Sequence, residues 1–263
     1  MRHELGCKDK VVVVTGAARG IGKEIAAQFV LAGARVCVAD VDGAAAQATA
    51  AEIGAADFVM PLALDVTDEE QVNAGMRAVA ERFGALDVLI SNAGTQHIAA
   101  IVDLQFAQWK RLLAVHLDGA FLTTRACMRH MIARGAGGSI IYMGSVHSHL
   151  ASPLKAPYAT AKHGLLGLAR TVAKEGAPHG IRSNLVCPGF VRTALVDAQI
   201  APQAAALRLA ETQVIHDVLL KDTVDGQFTT TAEVAQVTVF LASFPTNALT
   251  GQSIVVSHGW HMD

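Results

Sequence analysis

Four consecutive valines, Val11-Val12-Val13-Val14, run directly into Thr15-Gly16-Ala17-Ala18-Arg19-Gly20-Ile21-Gly22, and a helical pattern follows over residues 23–31. Valine at four successive positions leaves the strand no polar face, so it must be covered on both sides, as in a parallel sheet flanked by helices. The glycine-rich turn then lies between a strand and a helix start. Gly16, Gly20 and Gly22 let backbone approach phosphate oxygens closely, and the unpaired amides and dipole of the helix start favour their negative charge. Residues 35–39 read as the next strand and end in Asp40, about twenty residues beyond the glycines, where a carboxylate can accept hydrogen bonds from the ribose hydroxyls of an adenine dinucleotide. Asp40 would repel a 2′-phosphate, which selects NAD over NADP. Arg19 pulls the other way, because inside the glycine loop it can meet that phosphate, or instead hold the adenine side or a neighbouring acid. The carboxylate of Asp40 is expected closest to the 2′ position, so the expected cofactor is NAD.

A second constellation is Tyr158-Ala159-Thr160-Ala161-Lys162, with Ser145 thirteen residues before the tyrosine. On a helix, positions four apart share a face, which sets an ammonium beside a phenol. At an effective dielectric of ~20 and a separation of ~5 Å the attraction is ~3 kcal/mol, enough to lower a tyrosine that starts near 10 by ~2 pKa units. A positively charged nicotinamide nearby would lower it further. The expectation is a tyrosine poised near working pH as a general acid or base.

Together these elements resemble the short-chain dehydrogenase/reductase family, and the resemblance runs along nearly the whole chain. Asn92-Ala93-Gly94 follows the strand-like residues 86–91 and matches the family's segment beside the adenosine ribose, while Asp65-Val66 matches the position near adenine. Pro188-Gly189 follows residues 183–187, where the family brings backbone against the nicotinamide, and Val191 and Thr193 match the positions that hold its carboxamide and phosphates. The resemblance also makes the loop residues Arg19 and Ile21 cofactor contacts. It implies that Ser145 orients the carbonyl or hydroxyl, that Tyr158 moves the proton, and that Lys162 also grips the nicotinamide ribose.

Two departures stand out. The family's Asn-Leu-x-Gly segment is His116-Leu117-Asp118-Gly119 here, so His116 takes the place of an asparagine that helps hold a water linking the lysine to solvent. Either His116 relays protons itself or the relay is altered. At the C-terminus the family's Val-Asp-Gly-Gly is replaced by Val256-Ser257-His258-Gly259, which unsettles expectations for tail contacts.

With 263 residues and 52% hydrophobic content the chain can bury one large core. Buried runs near Val11, Val36, Phe58, Val88, Ile140, Leu185 and Ile254, with helical stretches between and no linker, predict one α/β domain over residues 1–263. It would be a doubly wound Rossmann parallel sheet of about seven strands with helices on both faces. The alanine-rich residues 43–56 suit a close-packed helix. A net charge of −2 with scattered Lys and Arg gives no reason to expect nucleic acid. Residues 1–10 carry charges where a leader peptide needs apolar residues, and no apolar run reaches membrane-spanning length, so the expectation is a soluble, cytoplasmic protein with no membrane partner. Cys7, Cys37, Cys127 and Cys187 lack metal spacing and are expected as reduced core residues. His147 and His149 have no third ligand at a recognisable spacing, so no metal is expected.

Polar residues cluster around the catalytic three: Gln96 and His97 after Gly94, His147 two beyond Ser145, Lys155 three before Tyr158, and Gln199 beyond Gly189. A lysine with amide and imidazole donors can neutralise and orient a carboxylate. This pattern, with Gly259-Trp260 at the end, resembles the bacterial D-3-hydroxybutyrate dehydrogenases. That resemblance implies carboxylate contacts from Gln96, His147, Lys155 and Gln199, packing from Trp260 and Phe190, a lid over about residues 193–230, and a homotetramer. The expected reaction is interconversion of D-3-hydroxybutyrate and acetoacetate. The alternatives are another small hydroxy acid, a secondary alcohol or a polyol, and, outside catalysis, a dinucleotide-binding sensor or scaffold.

Overall fold

In the computed structural model, which describes residues 6–262, the valine run forms β1 (Val11–Thr15), buried throughout. The first five residues of the charged start, and Asp263, lie outside the described residues. β1 pairs in parallel with β2 (Arg35–Asp40) on one side and β4 (Val88–Ser91) on the other. β3 (Val59–Ala63) lies beyond β2, and β5 (Gly138–Met143), β6 (Ile181–Pro188) and β7 (Ser253–Val256) lie beyond β4. Among the described residues this is a 7-stranded parallel sheet in the order β3-β2-β1-β4-β5-β6-β7. The strand order reverses between β1 and β4, and such a switch opens a crevice at the carboxyl ends of the strands.

Period-two alternation within β1 divides the interior. Val12 and Val14 enter one apolar cluster with Ile25 and Phe29 of α1 (Gly20–Leu31), Ala46 and Ala50 of α2 (Gly43–Ile53), and Val239 of α9 (Thr231–Ser243). Val11 and Val13 enter the other, with Val72 and Met76 of α3 (Glu69–Phe83), Cys127 and Met131 of α5 (Gly119–Arg134), and Leu165 and Ala169 of α6 (Ala156–Gly176). Burial of each such valine contributes roughly 1.5–3 kcal/mol. The alanine-rich helix α2 starts where the Asp42 carboxylate accepts from Ala45 N. All four cysteines are buried. Among the described residues no helix is long and apolar enough to cross a membrane.

Two strand limits differ from the sequence reading. β4 begins at Val88 because Asp87 offers Val11 N a carboxylate oxygen at 2.8 Å, replacing a backbone acceptor. β3 begins at Val59, and Phe58 is 49% exposed. His116 sits on a continuous helical run in which α4 (Phe106–Leu113) passes through a π turn at Ala114–Asp118 into α5.

Residues 193–230 connect β6 to α9. They fold as α7 (Ala194–Leu207) and α8 (Glu211–Gln213), which runs into a π turn at Val214–Leu219. Ile200, Ala204, Val214, Leu219 and Leu220 form a third, smaller apolar cluster there, with Phe190 and Phe228 packed against it.

Candidate active site

The carboxyl ends of β1 to β6, α4 with its π turn, α6, α7 and the tail after β7 enclose one cavity of about 660 Å³. Every residue singled out above for cofactor, catalysis or substrate lines it. At one end the glycine loop leaves β1. Gly16 and Gly20 have φ of +63° and +57°, in the left-handed region that favours glycine. A Cβ on Gly22 would lie 2.3 Å from the Gly16 carbonyl oxygen and 2.5 Å from Asn92 Nδ2. Thr193 Cγ2 stands 3.7 Å from where a Gly20 Cβ would be, and its hydroxyl accepts from Val196 N to cap α7. Ile21 lines the cavity beside the glycines, as do Asp65 and Val66 after β3.

Asn92 lines the cavity and points its amide nitrogen at the glycine loop. Its Nδ2 donates to the carbonyls of Thr15 at 2.9 Å and Gly16 at 3.0 Å, and its backbone amide donates to Thr15 Oγ1 at 3.0 Å. The side chain expected beside a ribose thus braces the loop from β4 through its nitrogen. Asp40 is 9% exposed and accepts from Ala18 N at 3.0 Å and Asp42 N at 3.1 Å. Arg19 takes the neighbouring-acid option, pairing with Asp42 at 3.2 Å. At the far end Pro188 closes β6, Gly189 N donates to Val256 O at 2.8 Å, and Val191 pairs with Thr229. The close-approach glycines, the free start of α1 and the buried carboxylate at the end of β2 fit a dinucleotide.

Tyr158 and Lys162 share a face of α6, one turn apart, as the spacing predicts. The depression of the tyrosine expected from Lys162 does not occur. Lys162 Nζ donates to the Met143 carbonyl at 2.6 Å and lies 5.3 Å from the Tyr158 ring centroid. Removal from water pushes the phenol up to about 12, against a hydrogen bond with Ser145 that lowers it, and pushes the ammonium down to about 8. Desolvation outweighs the attraction because each group loses hydration that the other does not replace.

His116 is buried on the π turn, edge-on to Tyr158 with ring centroids 5.6 Å apart. Its Nε2 lies 2.8 Å from Thr95 O, while Nδ1 has no hydrogen-bond partner. Burial and the Lys162 charge push it down to about 3. The ring is neutral near neutral pH, so a proton passed through it would move between its neutral tautomers and not by way of an imidazolium. Gly94 is required beside it, since a Cβ there would lie 2.6 Å from His116 Cε1.

Lys155 precedes α6 and is 2% exposed, with Nζ 4.5 Å from the Phe190 ring centroid. Burial pushes it down to about 8, and no carboxylate pairs with it among the described residues. Phe190 stacks on Trp260 with centroids 4.6 Å apart and planes at 11°. His147 lies edge-on to both Trp260 and Tyr158. Its Nδ1 is 3.3 Å from Ser145 Oγ and its Nε2 2.9 Å from Ser152 Oγ. Burial and Lys155 push it down to about 3, so it is a neutral partner and not a second cation. Gln199 Nε2 donates to Leu195 O at 2.9 Å. Gln96 Oε1 accepts from His97 N at 2.9 Å, which leaves its amide NH₂ as the remaining donor. Sequence reasoning missed Ser152, which the short turn at Val146–Ser148 brings under His147, and Arg111, which reaches the cavity wall from α4. Neither has a spacing signal in the chain.

A doubly wound sheet with a dinucleotide-fitted glycine loop at one end of a cavity, and a serine, tyrosine and lysine at the other, defines an oxidoreductase of the alcohol–carbonyl type. The family model described as short chain dehydrogenase matches residues 10–204, and the chain belongs to that family. It is 37% identical to a D-beta-hydroxybutyrate dehydrogenase of Rhizobium meliloti over 95% of this chain and 98% of that one. It is 33% identical to a D-threitol dehydrogenase of Mycolicibacterium smegmatis over 95% and 92% of the respective chains. Among solved structures, the 3-ketoacyl-(acyl-carrier-protein) reductase of Brucella melitensis complexed with NADH superposes with a TM-score of 0.86 at 26% identity, covering 97% of this chain and 99% of that one.

Proposed function

We propose that this chain interconverts D-3-hydroxybutyrate and acetoacetate with NAD. The observation that carries the reading is Lys155, a buried cation with no anion paired to it among the described residues, in the same cavity as Tyr158. Burying an unpaired ammonium is costly, and a substrate carboxylate would supply the missing partner. The amide of Gln96, the neutral ring of His147 and the Gln199 side chain add donors around it. The Phe190–Trp260 stack leaves an apolar wall suited to a short carbon chain. The D-beta-hydroxybutyrate dehydrogenase relative supports the same substrate.

The dinucleotide supplies the hydride acceptor for oxidation and the donor for reduction. Gly16, Gly20 and Gly22 admit its phosphates at the start of α1, with Arg19 and Ile21 at the loop edge and Thr193 opposite. Asp40 takes the ribose hydroxyls and disfavours a 2′-phosphate. Asp65 and Val66 flank adenine, Asn92 and Gly94 shape the ribose side, and Pro188, Gly189 and Val191 line the nicotinamide end. Ser145 orients the reacting oxygen. Tyr158 delivers a proton to that oxygen in reduction and removes it in oxidation, while Lys162 holds the nicotinamide ribose. Residues 193–230 close over the substrate as a lid. Family likeness supports a homotetramer, and four buried thiols suit a reducing, cytoplasmic setting.

The D-threitol dehydrogenase relative favours a neutral polyol as the competing substrate. NADH formation is the test, with D- and L-3-hydroxybutyrate, lactate, malate, threitol and a neutral secondary alcohol offered in turn. Selective turnover of D-3-hydroxybutyrate is expected. Turnover of the neutral alcohols alone would remove Lys155, Gln96 and Gln199 as an anion clamp.

A further inference from the structure

We propose that His258 is a positioning residue of the substrate site, which in its protonated form fastens the tail carrying Trp260 to the end of the 193–230 segment. The inference rests on the proposed reaction only for its choice of substrate.

After β7 the chain reverses sharply. His258 has φ +50°, a left-handed conformation that a non-glycine residue adopts only when its surroundings hold it there, and Gly259 follows at +74°. The reversal sets the tail against the other segment. Val224 N donates to His258 O at 2.9 Å, and a Cβ on Gly259 would lie 2.6 Å from Val224 Cγ1. The imidazole then joins three parts of the chain. Its Nδ1 lies 2.7 Å from Asp225 Oδ2 and its Nε2 3.5 Å from Glu233 Oε2, the carboxylate oxygen that also accepts from Thr230 N and Oγ1 at the start of α9. Two residues on, Trp260 stacks on Phe190, whose carbonyl accepts from Thr229 N at 3.0 Å. The wall of the substrate site and the His258 contacts are thus links in one circuit.

Both ring nitrogens face carboxylates, an arrangement that only the imidazolium can satisfy with two donors. A neutral ring would turn a lone pair toward Asp225 or Glu233. The titratable groups around it are Asp225 from the 193–230 segment, Glu233 from α9, and His261, which lines the same surface hollow beside the uncharged Gln236 and Ser257. The His258 side chain is 21% exposed, so its proton exchanges with solvent. The hydrogen bond to Asp225 first, and that to Glu233 after it, hold the imidazole above its ordinary 6.5, while both carboxylates are held below theirs. The fastening is therefore complete in mildly acidic solution and is lost as pH rises through the His258 transition.

The test compares the full-length enzyme with His258→Asn, since asparagine tolerates the left-handed backbone, and with Asp225→Asn and Asp225→Glu. At about pH 6, where histidine is charged, His258→Asn and Asp225→Asn should each raise KM for D-3-hydroxybutyrate roughly threefold, the scale of a partly exposed ion pair. Asp225→Glu should restore most of that loss, with kcat and KM for NAD unchanged in all three. By about pH 9, where histidine is neutral, the wild-type and His258→Asn profiles should converge. Equal KM values at low pH, or a constant offset at every pH, would overturn the proposal.

A second readout is independent of substrate. The chain has two tryptophans, Trp109 and Trp260, so in a Trp109→Phe background the emission reports Trp260 alone. It should shift as pH rises through the His258 transition, and when His258→Asn is added only the step of Lys155, which titrates near 8 against the Phe190–Trp260 stack, should remain. The same shift in both proteins would refute the role of His258. An enzyme that ignores 3-hydroxybutyrate yet shows the His258-dependent shift would refute the substrate and keep the positioning residue.

Discussion

Lys162 directs its ammonium to the carbonyl of Met143 at 2.6 Å, and Tyr158, one helical turn earlier, keeps its proton. A phenol pushed up to about 12 is a proton donor at neutral pH, so carbonyl reduction finds its acid ready while alcohol oxidation must first ionise it. Ionisation is favoured by rising pH. The kcat for oxidation should therefore climb between about pH 6 and about pH 9, whereas that for reduction should stay level or fall. Steady-state assays in both directions check this, and oxidation that slows with pH would contradict it. Tyr158→Phe should cost about 10³-fold in kcat in either direction. NADH binding, followed by fluorescence titration, should survive; intact turnover in this variant would remove Tyr158 as the proton carrier, and NADH binding with no turnover in the parent protein would favour the sensor or scaffold alternative.

Lys155 predicts a separate pH effect, in binding. Burial lowers it to about 8, so below that value the free enzyme presents a cation and above it a neutral amine. KM for 3-hydroxybutyrate should rise as pH passes about 8 while kcat for oxidation is still climbing. Replacing the charge outright by Lys155→Met should raise KM roughly 10- to 100-fold, the worth of a charged hydrogen bond of ~1.5–3 kcal/mol, and leave any turnover of a neutral alcohol untouched. A KM indifferent to both pH and substitution would assign Lys155 to the wall of the cavity and not to the substrate.

The proposed choice of NAD turns on Asp40. Arg19 is engaged by Asp42 at 3.2 Å, so the base nearest the loop is not turned toward a 2′-phosphate. Asp40→Asn keeps an oxygen for Ala18 N but removes the negative charge, and the preference for NAD over NADP should fall at least roughly tenfold, about 1.4 kcal/mol. The measurement is the ratio of kcat/KM for the two dinucleotides. An unchanged ratio would mean that specificity resides elsewhere.

Much of this site was legible in the sequence because its parts are local: a valine strand running into glycines, an acid at the end of the next strand, and a tyrosine and lysine four apart. The doubly wound order follows from such units, since each strand–helix–strand step has a preferred hand. What the sequence did not reveal depends on distant groups. The proton of Tyr158 is governed by burial in a cavity built from six strands, and the lysine that seemed its partner is claimed by a carbonyl from β5. The apolar cluster beneath residues 193–230 was hidden because Ile200, Val214 and Leu219 keep no single helical period across α7, α8 and the π turn. Ser152 reaches His147 through a turn that no spacing announces.

Asn92 gives the clearest distinction between a brace and a ligand contact. Its amide satisfies the Thr15 and Gly16 carbonyls at the end of β1, and a Cβ on Gly22 would strike both that amide and the Gly16 oxygen. Asn92→Ala leaves the two carbonyls without this donor, at a cost of ~1–3 kcal/mol, which in a chain of this size lowers Tm by about 2–4 °C per kcal/mol. Asn92→Asp is nearly isosteric yet cannot donate, so it should lose as much or more, which separates hydrogen bonding from packing. If the residue acts through the loop, Tm and NADH affinity should fall together in both variants. If it touched the ribose alone, affinity would fall while Tm stayed. Thermal unfolding of the chain with and without NADH reads both quantities in one experiment.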